Sequence, residues 1–303
     1  MTSAFLSALG GRIAERWLTL LALPGLLFVA AVTTATVLGH EHWADVGKLR
    51  TWLDTLAASP ASRSIGTVVL VALGVLLVAA AIGAAAQALG AGVELLWCAE
   101  PRGPLLRRLA DRRLRRWRAA DAAFRAALVT AGRARVAGAD DADRLAGLAE
   151  RRFAERDRIA AAPPRHPFGM GDRLAAPGQR LWRAYRLDLA AAWPRLWLVA
   201  ADGTRAELHA ARLRFGAAAR LCAWGGGYLV LGVWWWPAAL IGIVSVAAGL
   251  HRGRAAADAF AELTEALADL HVRDLAAALG IDSAASLDRA LGERLSRALR
   301  KPG

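Results

Sequence analysis

The sequence predicts an all-α integral membrane protein. Two transmembrane hairpins, four spans in all, flank a mainly helical cytoplasmic domain, and a helical tail follows. Three observations lead there. First, Trp17–Gly39, Ile65–Val93 and Leu221–Leu250 contain no Asp, Glu, Lys, Arg or His, and about 20 apolar residues at 1.5 Å per residue fill the ~30 Å hydrocarbon core. Second, a hydrophobic content of 56% and a mean hydropathy of +0.33 exceed what a soluble chain carries. Third, the charge is confined to one region. Residues 98–216 hold 25 Arg against 13 Asp and Glu, so +12 of the net +13 lies there. The expected organisation is an N-terminal hairpin over 1–97 (spans near 17–39 and 65–93) and a basic helical domain over 98–216. A second hairpin over 217–252, with its turn near 234–237, and a helical tail over 253–303 complete it.

The first apolar run is read as an uncleaved anchor. It exceeds the 7–15 residues of a signal-peptide core, and no small-x-small cleavage site precedes His40-Glu41-His42. Orientation follows from basic flanks. Arg12 and Arg16 precede the first run, while Lys48, Arg50 and Arg63 are balanced by Glu41, Asp45 and Asp54. The dense arginines from Arg102 onward place the central region in the cytoplasm, with both termini, and put loop 40–64 outside. The third run is about 45 Å as one helix, too long for a single upright span and tight for two. Basic residues flank it on both sides (Arg212, Arg214 and Arg220; His251, Arg252 and Arg254). Two crossings keep both flanks inside, with Trp234-Trp235-Trp236-Pro237 as the outer turn, since Trp favours the interface and Pro ends a helix.

Between the spans, the loop holds a short amphipathic piece around Trp43–Leu56, closed by Ser59-Pro60. From Pro104, Leu106, Ala110, Leu114, Trp117, Phe124 and Leu128 recur at helical spacing. Gly138 breaks that helix, and Asp140 or Asp141 caps a second through about Ile159, stopped by Pro163-Pro164. Asp172 is expected to cap a helix from Arg173 to Tyr185, and Tyr185, Asp188, Trp193, Arg195 and Trp197 to form core and an internal ion pair. Ala255–Leu279 reads as an amphipathic helix with Phe260, Leu263, Leu267 and Leu270 on one face. Asp282 caps a final helix carrying Leu287, Leu291, Leu295 and Leu299.

The stretch Gly171-Asp-Arg-Leu, Tyr185, Leu187-Asp-Leu and Trp193-Pro-Arg-Leu-Trp197, set between two apolar hairpins, resembles multi-pass membrane proteins of high-GC bacteria with no established activity. Asp269-Leu-His, Asp274-Leu and Leu279-Gly280 are similar to their segment after the last span. The resemblance covers the second half of the chain and implies the four-span layout; the expected location is the bacterial plasma membrane. Arginine makes up 37 of the 39 basic residues, which reads mainly as high-GC coding bias.

Seven arginines, Arg107, Arg108, Arg112, Arg113, Arg115, Arg116 and Arg118, follow the second span. They are the candidate contact with anionic lipid headgroups. The bland reading is a solvated positive-inside flank. Nucleic acid is disfavoured because no binding module or interleaved aromatics accompany them. His40-Glu41-His42 with Asp45 has metal-type ligands, but adjacent helical positions diverge and no second cluster completes a site. His166-Pro-Phe-Gly-Met-Gly-Asp-Arg173 lacks the ending of a phosphate loop. Cys98 and Cys222 are too few for a disulfide framework and are read as small buried or interfacial hydrophobes. No catalytic residue, metal or cofactor is assigned. Uncharged spans argue against a pump or transporter. Small residues (Ala84, Ala86, Ala88 and Gly90; Gly225-Gly226-Gly227; Ala238 and Gly242) permit close helix packing or self-association. The expected function is a non-enzymatic membrane scaffold, or the membrane component of a multiprotein system. It would display a basic domain to an unknown cytoplasmic partner and to lipid, with a second copy of the chain, as a homo-oligomer, a further candidate partner. The alternative is an oligomerising effector that permeabilises the bilayer on a cytoplasmic signal.

Overall fold

A computed structural model describes residues 22–59, 64–281 and 288–300. Arg12, Arg16, Trp17, Pro60, Arg63, Asp282 and Leu287, invoked above, lie outside these residues. Among the described residues there are ten helices and no strand: α1 (Leu23–Leu38), α2 (Val46–Ala57), α3 (Ile65–Trp97), α4 (Pro104–Val136), α5 (Ala142–Ile159), α6 (Gly169–Tyr185), α7 (Leu189–Val199), α8 (Asp202–Leu231), α9 (Trp236–Ala278) and α10 (Arg289–Leu299). The chain divides into two compact units. Unit 1 comprises residues 1–93 and 216–253; unit 2 comprises 94–215 and 254–303.

In unit 1, α3 is the one helix among the described residues long and apolar enough to cross a bilayer. It has 33 residues, a mean hydropathy of 2.8 over its most apolar stretch, and only 11% of that stretch buried. An apolar helix in a soluble core would be covered; this one leaves Val68, Val69, Leu70, Leu77 and Val78 about half exposed or more. α1 is also apolar, but its 16 residues are shorter. The third apolar run is not one element. It is divided at Gly232–Trp235, and each half belongs to a helix that continues into charged sequence. α8 starts at Asp202, whereas α9 runs unbroken for 43 residues. The tail helix expected from Ala255 is therefore the continuation of an apolar helix, because no glycine or proline interrupts Ala238–Leu279 beyond Gly242, Gly249 and Gly253.

Small residues set the helix spacing in unit 1. A Cβ on Gly25 of α1 would come within 2.0 Å of the Ala79 carbonyl oxygen on α3. On the α8–α9 pair, a Cβ on Gly225 would meet Val246 at 2.7 Å. One on Gly242 would meet the Gly225 carbonyl oxygen at 2.8 Å, and one on Gly249 the Cys222 sulfur at 2.5 Å. Backbone approach of this kind needs glycine. Phe28 fills the space beside them, 5.2 Å from Tyr228 and 5.8 Å from Trp224 between ring centres.

In unit 2, α4 and α5 form an antiparallel helical pair, and α6, α7, α9 and α10 close a separate core. That core contains Leu181, Leu187, Leu196, Val272, Leu275, Leu291 and Leu295, each essentially inaccessible. A second cluster joins Leu208 and Leu267 to Trp193, Trp197, Phe260 and Leu263. Leu270, expected on the same apolar face of α9, points away and is 72% exposed. α10 presents Leu291, Leu295 and Leu299 as its buried row, and Asp288 is its cap, accepting from the Leu291 N–H at 2.8 Å.

Candidate functional site

The basic stripe lies on the first half of α4. The helix begins at Pro104, whose fixed φ suits the first turn. Its buried positions, Ala110, Trp117, Asp121 and Ala131, define an inner face. At 100° per residue, Arg107, Arg108, Arg112, Arg115, Arg116 and Arg118 spread over about 180° of the opposite side. All six are exposed, and among the described residues none of them pairs with a carboxylate. Arg107 reaches back to the Pro101 carbonyl oxygen at 3.1 Å.

Arg113 is different from its six neighbours. Its side chain is 16% exposed and turns inward to the Asp172 carboxylate. It also donates to the carbonyl oxygens of His166 (3.0 Å) and Ile159 (2.8 Å). Trp117, one turn on, donates its indole N–H to the Ala160 carbonyl oxygen at 2.8 Å. Arg113 and Trp117 thus pin the segment that links α5 to α6 onto α4.

Asp172 is the hub of that arrangement. It does not cap α6 as expected; the helix begins at Gly169, so Asp172 sits inside its first turn. Its Oδ1 accepts from the backbone N–H groups of Arg165 (2.9 Å) and His166 (3.0 Å) and lies 2.9 Å from His166 Nδ1. Burial would raise this carboxyl, but the bonds from His166, the two backbone N–H groups and the Arg113 guanidinium outweigh it and hold it below the ordinary carboxylate range. A carboxylate bound on all sides is committed to holding a loop.

Arg173, next along, pairs with Asp258, and Arg180 pairs with Glu265. From the first pair to the second, the arginine and its partner each advance by seven residues, so α6 and α9 run in the same sense at this contact. A polar cleft of about 480 Å³ opens among Arg113, Asp172, Arg173, Gln179, Arg183, Asp258 and Glu262. Its cations and carboxylates are equal in number. Deeper in α4, Asp121 lies 2.8 Å from Arg125 and 3.6 Å from Arg156. The Arg156 guanidinium stacks on Phe153 at 4.6 Å and Phe124 at 5.3 Å.

The remaining sequence candidates disperse. His40 Nδ1 lies 2.7 Å from the Trp234 carbonyl oxygen, and Asp45 caps α2 by accepting from the Lys48 N–H at 2.9 Å. Among the described residues, no three His, Cys, Asp or Glu side chains converge as metal ligands. Cys98, read as a buried or interfacial small hydrophobe, is exposed rather than buried, because Trp97 turns inward against Phe215. Asp188 pairs with Arg300, not Arg195, whose guanidinium returns to the Ala191 carbonyl oxygen. Three sequence-missed pairs matter to the site: Arg113–Asp172, Arg173–Asp258 and Arg180–Glu265. The shared offset of 85 residues in the last two was a signal available in the sequence, but it becomes meaningful only once α6 and α9 are known to be neighbours.

Comparisons of the chain with protein-family models, with curated proteins and with solved structures return no match.

Proposed function

We propose that the protein is a four-span membrane protein of the bacterial plasma membrane, with both termini and unit 2 on the cytoplasmic side. It acts as a scaffold or membrane component, without enzymatic activity, presenting unit 2 to a soluble partner and to anionic headgroups. The observation that carries this reading is the set of six exposed, unpaired arginines on α4. They begin ten residues after Trp97, the last residue of the apolar helix α3. Such a cluster beside a membrane segment is attracted to the negative inner leaflet by about 1 kcal/mol per residue. Arg113, Arg173 and Arg180 are engaged internally and are not part of that surface.

The apolar parts of α8 and α9 extend the reading from one crossing to a hairpin, with Gly232–Trp235 as its outer turn. Helix α1 lies in the first span of this reading. The effector alternative needs small-residue faces free to join copies. Gly25, Gly225, Gly242 and Gly249 already close on neighbours within unit 1, which favours an anchor. Capture from native membranes in mild detergent, followed by mass spectrometry, tests the proposal. A stoichiometric soluble partner supports the scaffold. Recovery of the protein alone, as an oligomer that releases dye from liposomes, replaces it with the effector.

A further inference from the structure

Helix α2 is amphipathic, and it leaves Val46, Leu53 and Leu56 of its apolar side exposed. At 100° per residue, Val46, Leu49, Trp52, Leu53 and Leu56 fall within an arc of about 120°, and Lys48, Arg50, Thr51, Asp54 and Thr55 take the rest. No residue of the helix is buried. Val46 is 75% exposed, Leu56 55% and Leu53 50%. A 12-residue helix of this kind is marginal in water unless its apolar face finds a partner.

Three observations in unit 1 identify the partner as lipid. The gap between α1 and α2 is lined by Thr36 and Val37, from the last turn of α1, and by Lys48, Thr51, Trp52 and Thr55, from two turns of α2. Helix α2 therefore crosses the end of α1 with its polar flank inward. The segment leading into α2 is tied to the α8–α9 turn: Trp235 donates its indole N–H to the Trp43 carbonyl oxygen at 3.1 Å, His40 meets the Trp234 carbonyl, and Trp43 stacks edge-on to Trp236 at 4.9 Å. Exposed tryptophans, Trp43, Trp234 and Trp236, thus gather at that end, and Trp concentrates where hydrocarbon meets water. Finally, Ile65, Val68, Val69 and Leu70 leave the first two turns of α3 apolar and exposed.

We infer that α2 is an interfacial helix. It lies in the plane of the outer membrane–water boundary with Val46, Leu49, Leu53 and Leu56 in the upper acyl region, about 5–10 Å deep. Lys48, Arg50 and Asp54 remain at headgroup level. This inference rests on the reading of α3 as a membrane span.

The test uses full-length protein carrying Cys98→Ser and Cys222→Ala, so that single cysteines can be introduced for spin labels. Labels at Arg50, Leu53, Asp54, Leu56 and, in α3, Val78 are compared in lipid nanodiscs for collision with oxygen and with a water-soluble nickel complex. The expected result is an oxygen-to-nickel ratio several-fold higher at Leu53 and Leu56 than at Arg50 and Asp54, with Val78 deepest. Equal nickel access at all four α2 positions, with Val78 still deep, overturns the interfacial helix and leaves the span intact. Exclusion of both reagents from Leu53 and Leu56 overturns it in favour of a second copy covering that face. Nickel access at Val78 overturns the span reading, and the interfacial helix with it.

Discussion

Arg300 donates from both Nε (3.1 Å) and Nη2 (2.7 Å) to one oxygen, Oδ2, of Asp188. The same aspartate accepts from the Ala191 N–H through Oδ1 and so caps α7. Its own N–H is received by Ser296 Oγ at 2.8 Å, whose hydroxyl in turn donates to the Arg186 carbonyl oxygen. Helix α10 is therefore locked onto the turn between α6 and α7. Replacing Asp188 by Ala removes the cap and the Arg300 contact together. A loss of about 1–2 kcal/mol is expected, read as a lower Tm, while Arg300→Gln costs less because that side chain is more than half exposed.

Gly292 is the closest point of that docking. A Cβ there would stand 1.9 Å from the Tyr185 carbonyl oxygen, so Gly292→Ala forces α10 away from its seat. The expected cost is about 1–3 kcal/mol, with early proteolytic cutting between α9 and α10. An unchanged cleavage pattern counts against the contact.

Arg186 ends α6 with φ +59°, a left-handed conformation that costs a side-chain-bearing residue roughly 1 kcal/mol. Arg186→Gly is expected to raise the Tm, less whatever the Arg186–Trp182 stacking at 5.6 Å contributes. Thermal unfolding of the single variant decides it.

Acid should loosen the α4–α6 contact. The Asp172 carboxyl titrates below its ordinary range in the folded protein, so the stability it supplies is present above the unfolded carboxylate value, about 3.9. That stability is lost as pH falls through the lower folded value. Unfolding measured from neutral to acidic pH should show Asp172→Asn destabilised at neutrality and converging on the parent in acid.

The six outward arginines and Arg113 should separate by readout. Changing Arg107, Arg108, Arg112, Arg115, Arg116 and Arg118 to Gln is expected to abolish co-purification of anionic lipid, measured by lipid mass spectrometry, with little change in Tm. Arg113→Gln should do the reverse, because its bonds to Asp172, His166 and Ile159 are internal.

Helix was legible where periodicity or proline spoke plainly. Pro104 and the three-to-four spacing from Leu106 to Leu128 mark α4, and the apolar run from Ile65 marks α3. What local patterns could not reveal was which charges face each other. Helical spacing places Arg113 beside Trp117 and Ala110 rather than with the other six arginines, but its partner, Asp172, comes from 59 residues away. Asp172 itself resembled a cap because it stands near a helix start. In the fold its oxygens face backward, to the N–H groups of Arg165 and His166. The continuity of α9 was hidden for a related reason: composition changes from apolar to charged near His251, but backbone hydrogen bonding does not respond to that change.

The unit 2 core has a consequence for the order of biosynthesis. Leu181, Leu187 and Leu196 are made before the chain departs through Gly216–Gly253 of unit 1, whereas Val272, Leu275, Leu291, Leu295 and Leu299 are made after it returns. On the ribosome the early leucines wait without their partners until the last helix emerges. Any delay in making the intervening apolar segment prolongs that exposure, so chaperone demand and degradation should track the passage of that segment rather than the stability of the finished fold.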